Sequence, residues 1–179
     1  MERTIGMLAG PLFEDLEFWS VLMRLREEGF RVAVIGAKAG EQYPSKSGGL
    51  SARADIGSAE AKEGDLFALA VPGGFAPDKM RRDPEMLRLI REMDAQGKVL
   101  GFICHAGWMA ASAGIMKGRK FTGSLGIKDD LVNAGGTWVD EAAFRDGNLV
   151  WGRVVEDIPA YQKALIEALR EYGMHHPAK

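Results

Sequence analysis

The sequence predicts an α/β fold in which helices cover both sides of a mostly parallel central sheet. Short apolar runs typical of buried strands recur along the chain, at residues 4–9, 31–35, 66–71 and 99–103. Segments of helical spacing lie between them, and this alternation of strand and helix is typical of a parallel sheet. The run at 99–103 is apolar on both faces, which indicates a central strand. The first strand, helix and strand form a βαβ unit, whose crossover is expected to be right-handed.

The first helix is predicted from an acidic run that opens it and from Gly29, which ends it. Leu16, Trp19 and Met23 recur at helical spacing within it and indicate an apolar stripe. Residues 37–64 are polar and rich in Gly, Ser and Ala. We therefore expect irregular structure in that segment, with a short edge hairpin as its one regular feature.

In the second half of the chain, Asp83 and Pro84 form a helix start with proline at the first position, and Gly97 ends that helix. The apolar stripe of this helix consists of Met86, Leu89, Ile90 and Met93. Residues 146–148 have the composition of a hairpin turn. A last helix is predicted to start near Glu156. Its apolar face consists of Ile158, Tyr161, Leu165, Leu169 and Tyr172.

Composition limits the class of protein. The chain has 179 residues, enough for a sizeable core, and we expect a single domain over residues 1–179. A net charge of −2 and the lack of any Lys/Arg block argue against nucleic-acid binding. No apolar run reaches the roughly 18 residues that a membrane span requires, and the N-terminus begins a strand without a signal region. A single cysteine suits a reducing compartment, so we expect a cytoplasmic protein.

The chemistry that the sequence suggests centres on the turn after the strand at 99–103. Cys104 follows this strand at once, and a helix-like run begins at Trp108. The small residues Ala106 and Gly107 would let the backbone turn tightly. This arrangement resembles a nucleophile elbow with cysteine in the serine position. We expect the positive end of the following helix dipole to lower the pKa of the thiol.

Two interpretations of Cys104 remain open at this point. A lone cysteine at the end of a buried strand is commonly a small hydrophobic residue. However, His105 lies next to it, and the other two histidines of the chain, His175 and His176, lie in the tail. Neighbouring side chains need not face each other, so the sequence permits a Cys/His nucleophile pair without requiring it.

Two further loops are expected at the same sheet edge, because the carboxyl ends of parallel strands carry the ligand sites of open α/β sheets. Glu14 and Glu17 are i, i+3 neighbours, so we expect both to share the helix face toward the thiol, where a carboxyl could act as its general acid and base. Acids in a first helical turn also simply offset the helix dipole. A glycine amide at Gly73 or Gly74 could form an oxyanion hole with the amide of His105, although the two glycines could also form a plain turn. We expect no metal, because no two interior His/Cys residues have zinc spacing.

Other residues near these loops are weaker candidates for a functional role. Gly73, Phe75 and Trp108 are candidate substrate contacts, although a tryptophan at such a position more commonly belongs to the core. Asp129 and Asp130 lie on a predicted amphipathic helix and are more typical of a solvated face than of a carboxylate pair. The glycines at 73–74 do not match a phosphate-binding loop, so nucleotide binding has little support.

Several stretches in the same order resemble the ThiJ/PfpI family over nearly the whole chain. They are FEDLE at 13–17, REEGFRV at 26–32, VPGG at 71–74, ICH at 103–105, AGI at 113–115 with GRK at 118–120, and IKDD at 127–130 with NAG at 133–135. The resemblance implies a flavodoxin-like three-layer α/β sandwich related to class I glutamine amidotransferase domains. It also implies that Cys104 is the reactive residue, that Glu17 contacts the thiol and that Gly74 supplies the oxyanion amide.

Members of that family are described as glutathione-independent glyoxalases and deglycases, as intracellular peptidases, and as stress chaperones or redox sensors. The peptidase branch implies that an acid at Asp78 of one subunit orients His105 of another, and hence a homo-oligomer, a dimer or a hexamer. Asp78 is shorter than the usual glutamate, and Ala106 and Gly107 replace the usual Gly-Pro. We therefore favour a cysteine-dependent, cofactor-free glyoxalase or deglycase acting on small dicarbonyls or their adducts over a peptidase acting on peptides. A stress chaperone or redox sensor is the non-enzymatic alternative.

Overall fold

The computed structural model describes residues 3–176, and a seven-stranded sheet runs through its middle. The strands are β1 (Thr4–Leu8), β2 (Arg31–Gly36), β3 (Gln42–Pro44), β4 (Ser51–Arg53), β5 (Ile56–Gly57), β6 (Ala68–Val71), β7 (Val99–Ile103), β8 (Lys120–Phe121), β9 (Thr137–Trp138), β10 (Ala143–Asp146) and β11 (Leu149–Gly152). The helices are α1 (Asp15–Glu27), α2 (Ala76–Met80), α3 (Pro84–Ala95), α4 (Gly107–Ala113), α5 (Lys128–Asn133) and α6 (Ile158–His175). Short 3₁₀ helices cover Glu63–Asp65, Cys104–Ala106, Leu125–Ile127 and Val155–Asp157.

The main sheet has the strand order β10-β11-β7-β6-β1-β2-β5. All its neighbouring pairs are parallel except β10 and β11, which form an antiparallel hairpin around the predicted turn. Two small sheets, β3-β4 and β8-β9, lie outside it. Because β1, β6 and β7 are adjacent and parallel, the loops that follow them meet at one edge. The predicted mostly parallel sheet is confirmed.

Helices cover the sheet in the way that the α/β class requires. Helix α6 packs on β7, β10 and β11 and against α1, while α3 packs on β7 and against α4. Every residue of β6 and β7 is buried, as expected for inner strands covered on both faces. Within residues 3–176, no helix is both long enough and apolar enough to cross a bilayer.

The predicted apolar stripe of α1 is wrong. Leu16 and Met23 are 54% and 61% exposed. The buried face of the helix instead carries Glu17, Phe18, Val21, Leu22 and Leu25. This second set also has helical spacing, so the apolar pattern of the helix allows two orientations. The contacts with the sheet decide between them, and the chosen orientation turns Glu17 inward.

Two segments that the sequence predicts to be irregular contain regular structure. The expected hairpin within residues 37–64 is present as β3 and β4, but β5 also adds a parallel edge strand to the main sheet. That strand has only two residues, too few to show a pattern. Asp78 lies in the short helix α2 rather than in an extended loop.

The loop after β1 is joined to the loop after β6 by backbone contacts. Phe13 pairs with Gly74, Glu14 N donates to the carbonyl of Gly73 (3.2 Å), and Phe75 N donates to the carbonyl of Leu12 (2.9 Å). Leu12 and Gly74 both have positive φ, 63° and 76°. Leucine rarely adopts this conformation, so the surrounding contacts have to stabilise it.

We expect Gly74→Ala to destabilise the protein more than Gly114→Ala. Both glycines have φ of 76°, so both variants incur the left-handed penalty of about 1–2 kcal/mol. A Cβ at Gly74 would lie 2.5 Å from Glu14 N and 2.6 Å from the carbonyl oxygen of Leu12, whereas nothing lies within 4 Å of one at Gly114. Urea unfolding should show an additional loss of about 1–3 kcal/mol for Gly74→Ala. Equal losses would mean that the two loops can separate freely.

Candidate active site

A strained turn at Cys104 forms the centre of the candidate site. Ile103 is extended, Cys104 has φ of 58°, and the chain then enters the 3₁₀ turn and α4. A non-glycine residue in this region of backbone space is uncommon and concentrates at functional sites. The predicted tight turn from strand to helix is therefore present, and it leaves the Cys104 side chain partly exposed at the sheet edge.

Gly107 assists this tight turn by avoiding a clash of its side chain, not by adopting an unusual backbone conformation. Its φ is −55°, an ordinary helical value that any residue can adopt. Its lack of a side chain matters for packing, because a Cβ there would lie 2.7 Å from Leu131 Cδ2 and 2.9 Å from Ile127 Cδ1. Gly123 has a similar role, since its Cβ would lie 2.8 Å from the carbonyl oxygen of Cys104. Close packing around the turn, rather than glycine flexibility within it, explains these residues.

The structure brings Cys104 and His105 together, a point that the sequence left open. Cys104 Sγ lies 3.2 Å from His105 Nδ1. Burial, together with the positive charge of Lys46, lowers the pKa of His105. The imidazole is therefore mainly neutral near pH 7, and its nitrogen is available to accept a proton from the thiol.

Glu17 is a buried carboxyl group beside the thiol, with 1% of its surface exposed. Its Oε2 accepts a hydrogen bond from Gly73 N at 2.7 Å, while Oε1 has no partner among the described residues. Burial, assisted by the negative charge of Glu14, raises the pKa of Glu17 to about 8. Glu17 therefore holds its proton near neutral pH and can release it without a large cost, as a general acid and base must.

The thiol pKa differs from the sequence-based expectation. Burial and the neighbouring Glu17 raise the pKa of Cys104 well above its usual range, and the amides of His105 and Gly74 only partly offset this. The expectation of a lowered pKa is therefore wrong: α4 has only seven residues, and desolvation outweighs its dipole. Proton exchange between Glu17 and Cys104 thus has to be considered as one coupled equilibrium.

The two glycines after β6 have separate roles. A Cβ at Gly73 would lie 2.6 Å from Glu17 Oε2, 2.9 Å from His105 N and 3.0 Å from Cys104 Cβ. Only a glycine lets these three groups approach so closely, so Gly73 holds the site together rather than offering a surface to a substrate. The amides of Gly74 and His105 both act on the Cys104 sulfur. Both N–H groups thus lie close to the reactive sulfur, where the oxygen of a bound carbonyl group would develop its charge.

Glu14 caps α1 and does not join the thiol. Its Oε2 accepts a hydrogen bond from Glu17 N at 2.8 Å, the usual contact of an N-cap side chain. The dipole-offsetting alternative thus fits Glu14, whereas Glu17 turns inward. The expectation that both carboxyl groups share the face toward the thiol is wrong, because a capping residue lies outside the regular helix.

Asp78 is not brought to His105 within the chain. It forms exposed ion pairs with Lys79 (3.0 Å) and Arg82 (2.8 Å). Hydrogen bonds from these two groups lower the pKa of Asp78. A contact with His105 of another subunit would have to compete with these pairs.

Three residues form the rim of the site, and the sequence predicted two of them. Trp108 packs edge-on against His105 at 5.4 Å between ring centroids, and its Nε1 donates to Asp130 at 2.7 Å. Phe75 is 58% exposed. Lys46 was missed: its Nζ lies 5.7 Å from the centroid of the Phe75 ring, and its charge acts on both Glu17 and His105. No sequence motif marks Lys46, because only folding brings its hairpin to the site.

Sequence comparison relates the chain to known proteins. The family model described as "DJ-1/PfpI family" matches residues 3–168. Deglycase PfpI of Pyrococcus furiosus is 35% identical over 166 residues, 93% of this chain and 99% of that protein. A deglycase of Pyrococcus abyssi is 35% identical over 164 residues, 92% of this chain and 98% of that protein.

Comparison with solved structures leads to the same family. A two-domain protein of Anabaena variabilis, with DJ-1/ThiJ/PfpI-like and ferritin-like domains, matches with a TM-score of 0.92 and 35% identity, over 94% of this chain and 50% of that chain. This chain thus spans half of that protein. DJ-1beta of Drosophila melanogaster matches with a TM-score of 0.84 and 24% identity, over 98% and 97% of the two chains, and so supports the fold alone. The chain therefore belongs to the DJ-1/PfpI family, as the resemblance to ThiJ/PfpI proteins predicted.

Proposed function

We propose that this chain is a cofactor-independent glyoxalase or deglycase that acts on small dicarbonyls, such as methylglyoxal, or on their adducts. The observation that carries this proposal is a partly exposed thiol that shares a site with the buried carboxyl of Glu17, whose pKa is about 8. The names of the two Pyrococcus relatives, each 35% identical and matched over nearly their whole length, support the same class of activity.

The first step is addition of the Cys104 sulfur to the aldehyde carbon. The thiol proton moves to His105 or to an ionised Glu17 as the S–C bond forms, and the carbonyl π bond opens onto oxygen. The protonated Glu17 carboxyl then gives its proton to that oxygen, which yields a hemithioacetal and leaves Glu17 as the carboxylate. The amides of Gly74 and His105 would stabilise the oxygen while it carries negative charge.

The second step is a proton transfer between the two former carbonyl carbons. The Glu17 carboxylate removes the hydrogen of the hemithioacetal carbon, which gives an enediolate, and delivers a proton to the neighbouring carbon. The hydroxyl proton of the sulfur-bearing carbon passes to the neighbouring oxygen, so the first carbon becomes a thioester carbonyl and the second an alcohol carbon. One carbon is oxidised as the other is reduced, so no external oxidant is required. Water then hydrolyses the thioester to a 2-hydroxy acid and the free thiol.

We expect Cys104→Ser to abolish lactate formation from methylglyoxal, because the nucleophile is lost. Glu17→Gln should retain the fold but lower kcat by roughly 10²–10⁴, the usual contribution of a general acid and base. Lys163→Gln, on the exposed face of α6, provides the control. Lactate is measured after each reaction by a coupled assay. Equal rates for wild type and Cys104→Ser would exclude the proposed reaction.

The buried carboxyl also predicts a pH-dependent stability. The folded pKa of Glu17 is about 8 against an ordinary value of 4.5, so the folded state binds its proton more tightly than the unfolded state. Stability is therefore retained below about pH 4.5 and lost as pH rises toward 8. Glu17→Gln removes this loss of stability because the amide side chain does not ionise. Urea unfolding should show the variant becoming more stable than wild type between pH 5 and pH 8, by on the order of 4 kcal/mol at most.

Glu167→Gln, which removes a carboxylate from the exposed face of α6, should show no such trend. A stability difference between Glu17→Gln and wild type that does not change with pH would contradict a raised pKa for Glu17.

A cysteine peptidase is a second candidate, because Cys104 Sγ and His105 Nδ1 lie 3.2 Å apart, as in a nucleophile–base pair. This function predicts a covalent acyl-enzyme on Cys104, visible by intact mass after addition of a peptide ester. It also requires that Asp78 of a second subunit orients His105. Peptide cleavage by a strictly monomeric protein would rule out that triad.

A further inference from the structure

The loop between β3 and β4 is held against the candidate site at several points. Lys46 N donates to the carbonyl oxygen of Phe13 at 2.7 Å. Ser47 donates to the Asp15 carboxylate through its backbone N (3.1 Å) and through Oγ (2.6 Å). Phe13 also pairs with Gly74, whose amide acts on the Cys104 sulfur. These hydrogen bonds therefore define where Lys46 lies relative to the loop that contains Gly73 and Gly74, although the Lys46 side chain is exposed.

Lys46 forms no ion pair with any residue that the structure describes. Across residues 3–176, no carboxylate oxygen lies within 4.0 Å of its Nζ. Its charge opposes the rise in the pKa of Glu17 that burial causes, and it adds to the lowering of the pKa of His105 that burial causes. Lys46 therefore acts electrostatically on both ionisable neighbours of Cys104, and it would act in the same way on a charged group that arrives there.

The negative charges of the acidic groups near Lys46 are partly offset by other contacts. Glu14 accepts a hydrogen bond from Glu17 N at the start of α1, and Asp15 accepts two from Ser47. Both carboxylates lie at the positive end of the α1 dipole, which offsets part of their charge. By contrast, the ammonium group of Lys46 lies over the exposed ring of Phe75, the residue that follows Gly74. The Lys46 cation and the apolar surface of Phe75 thus lie together beside the loop that contains Gly74.

We propose that Lys46 and Phe75 bind the acidic end of the substrate, so that the preferred substrates at Cys104 are anionic carbonyl compounds or adducts that carry a carboxylate. The proposal rests on the function proposed above and specifies its substrate class. Phe75 packs against the carbon chain of the substrate and Lys46 pairs with its carboxylate, while the carbonyl carbon faces the sulfur. A neutral substrate of the same shape gains only the contact with Phe75.

The direct test compares two thiol reagents that differ in charge, iodoacetate and iodoacetamide. Cys104 is the only cysteine of the chain, so both reagents report on one sulfur. The fraction of thiolate cancels in the ratio of the two rate constants. We expect Lys46→Gln to lower the iodoacetate-to-iodoacetamide ratio by about twofold to fivefold, the effect of one exposed charge. Lys46→Arg should retain the wild-type ratio, and Lys163→Gln, on α6, is the control.

Salt gives an independent check, because a Debye length of about 3 Å at 1 M ionic strength screens an exposed cation. The wild-type ratio should fall toward that of Lys46→Gln in 1 M NaCl, and the ratio of the variant should change less. A ratio that is the same in wild type and Lys46→Gln at low salt would overturn the anion site.

Turnover separates this inference from the proposed function. The substrates are the methylglyoxal adducts of N-acetylcysteine, which is anionic, and of its neutral amide. We expect Lys46→Gln to lower kcat/KM for the anionic adduct only. If neither adduct is turned over while alkylation still depends on Lys46, the proposed function fails and the anion site stands. If both adducts are turned over at a ratio that Lys46→Gln leaves unchanged, the anion site fails and the function stands.

Discussion

The hydrogen bond from Gly73 N to the buried carboxyl of Glu17 is the contact on which the geometry of the site depends. It joins α1, which carries Glu17, to the loop after β6, and that loop also contacts the Cys104 turn. Burying a carboxyl group is costly, and one hydrogen bond from a neutral amide does not restore the hydration that is lost. The group responds by holding its proton, with a pKa of about 8. The same burial that destabilises the charged form thus creates a proton donor beside the sulfur.

The backbone around this contact has positive φ in each of three neighbouring loops. Leu12, Gly74 and Cys104 all have positive φ, and they lie in the three loops that follow β1, β6 and β7. Such conformations persist where many other contacts determine them. Here the parallel sheet fixes the starting points of the loops, and the bridge from Phe13 to Gly74 fixes their spacing. The amides of Gly74 and His105 are therefore held in position by the backbone, as the proposed oxyanion hole requires.

The prediction from sequence succeeded where local chemistry is decisive. The strand from Val99 to Ile103, the turn at Cys104 and the hairpin that ends at Gly152 all follow from apolar runs and turn residues. The prediction failed where two sets of apolar residues with helical spacing compete for the buried face of one helix. The apolar residues of α1 allow two orientations, and packing on the sheet exposes Leu16 and buries Phe18. The lowered thiol pKa was also wrong, because a helix dipole can be inferred from sequence whereas the degree of burial cannot.

The sequence by itself determined the α/β class, the family resemblance, and the association of Cys104, Glu17 and the Gly73–Gly74 pair with one edge of the sheet. These features depend on residue spacing within short segments and on the rule that parallel strands end together. The tertiary structure alone decided that Glu14 is a helix cap, that Asp78 is an exposed ion-pair partner and that Lys46 lies at the rim of the site. The physical reason is that burial and the distances between charges arise from segments far apart in the chain, and no local pattern records them.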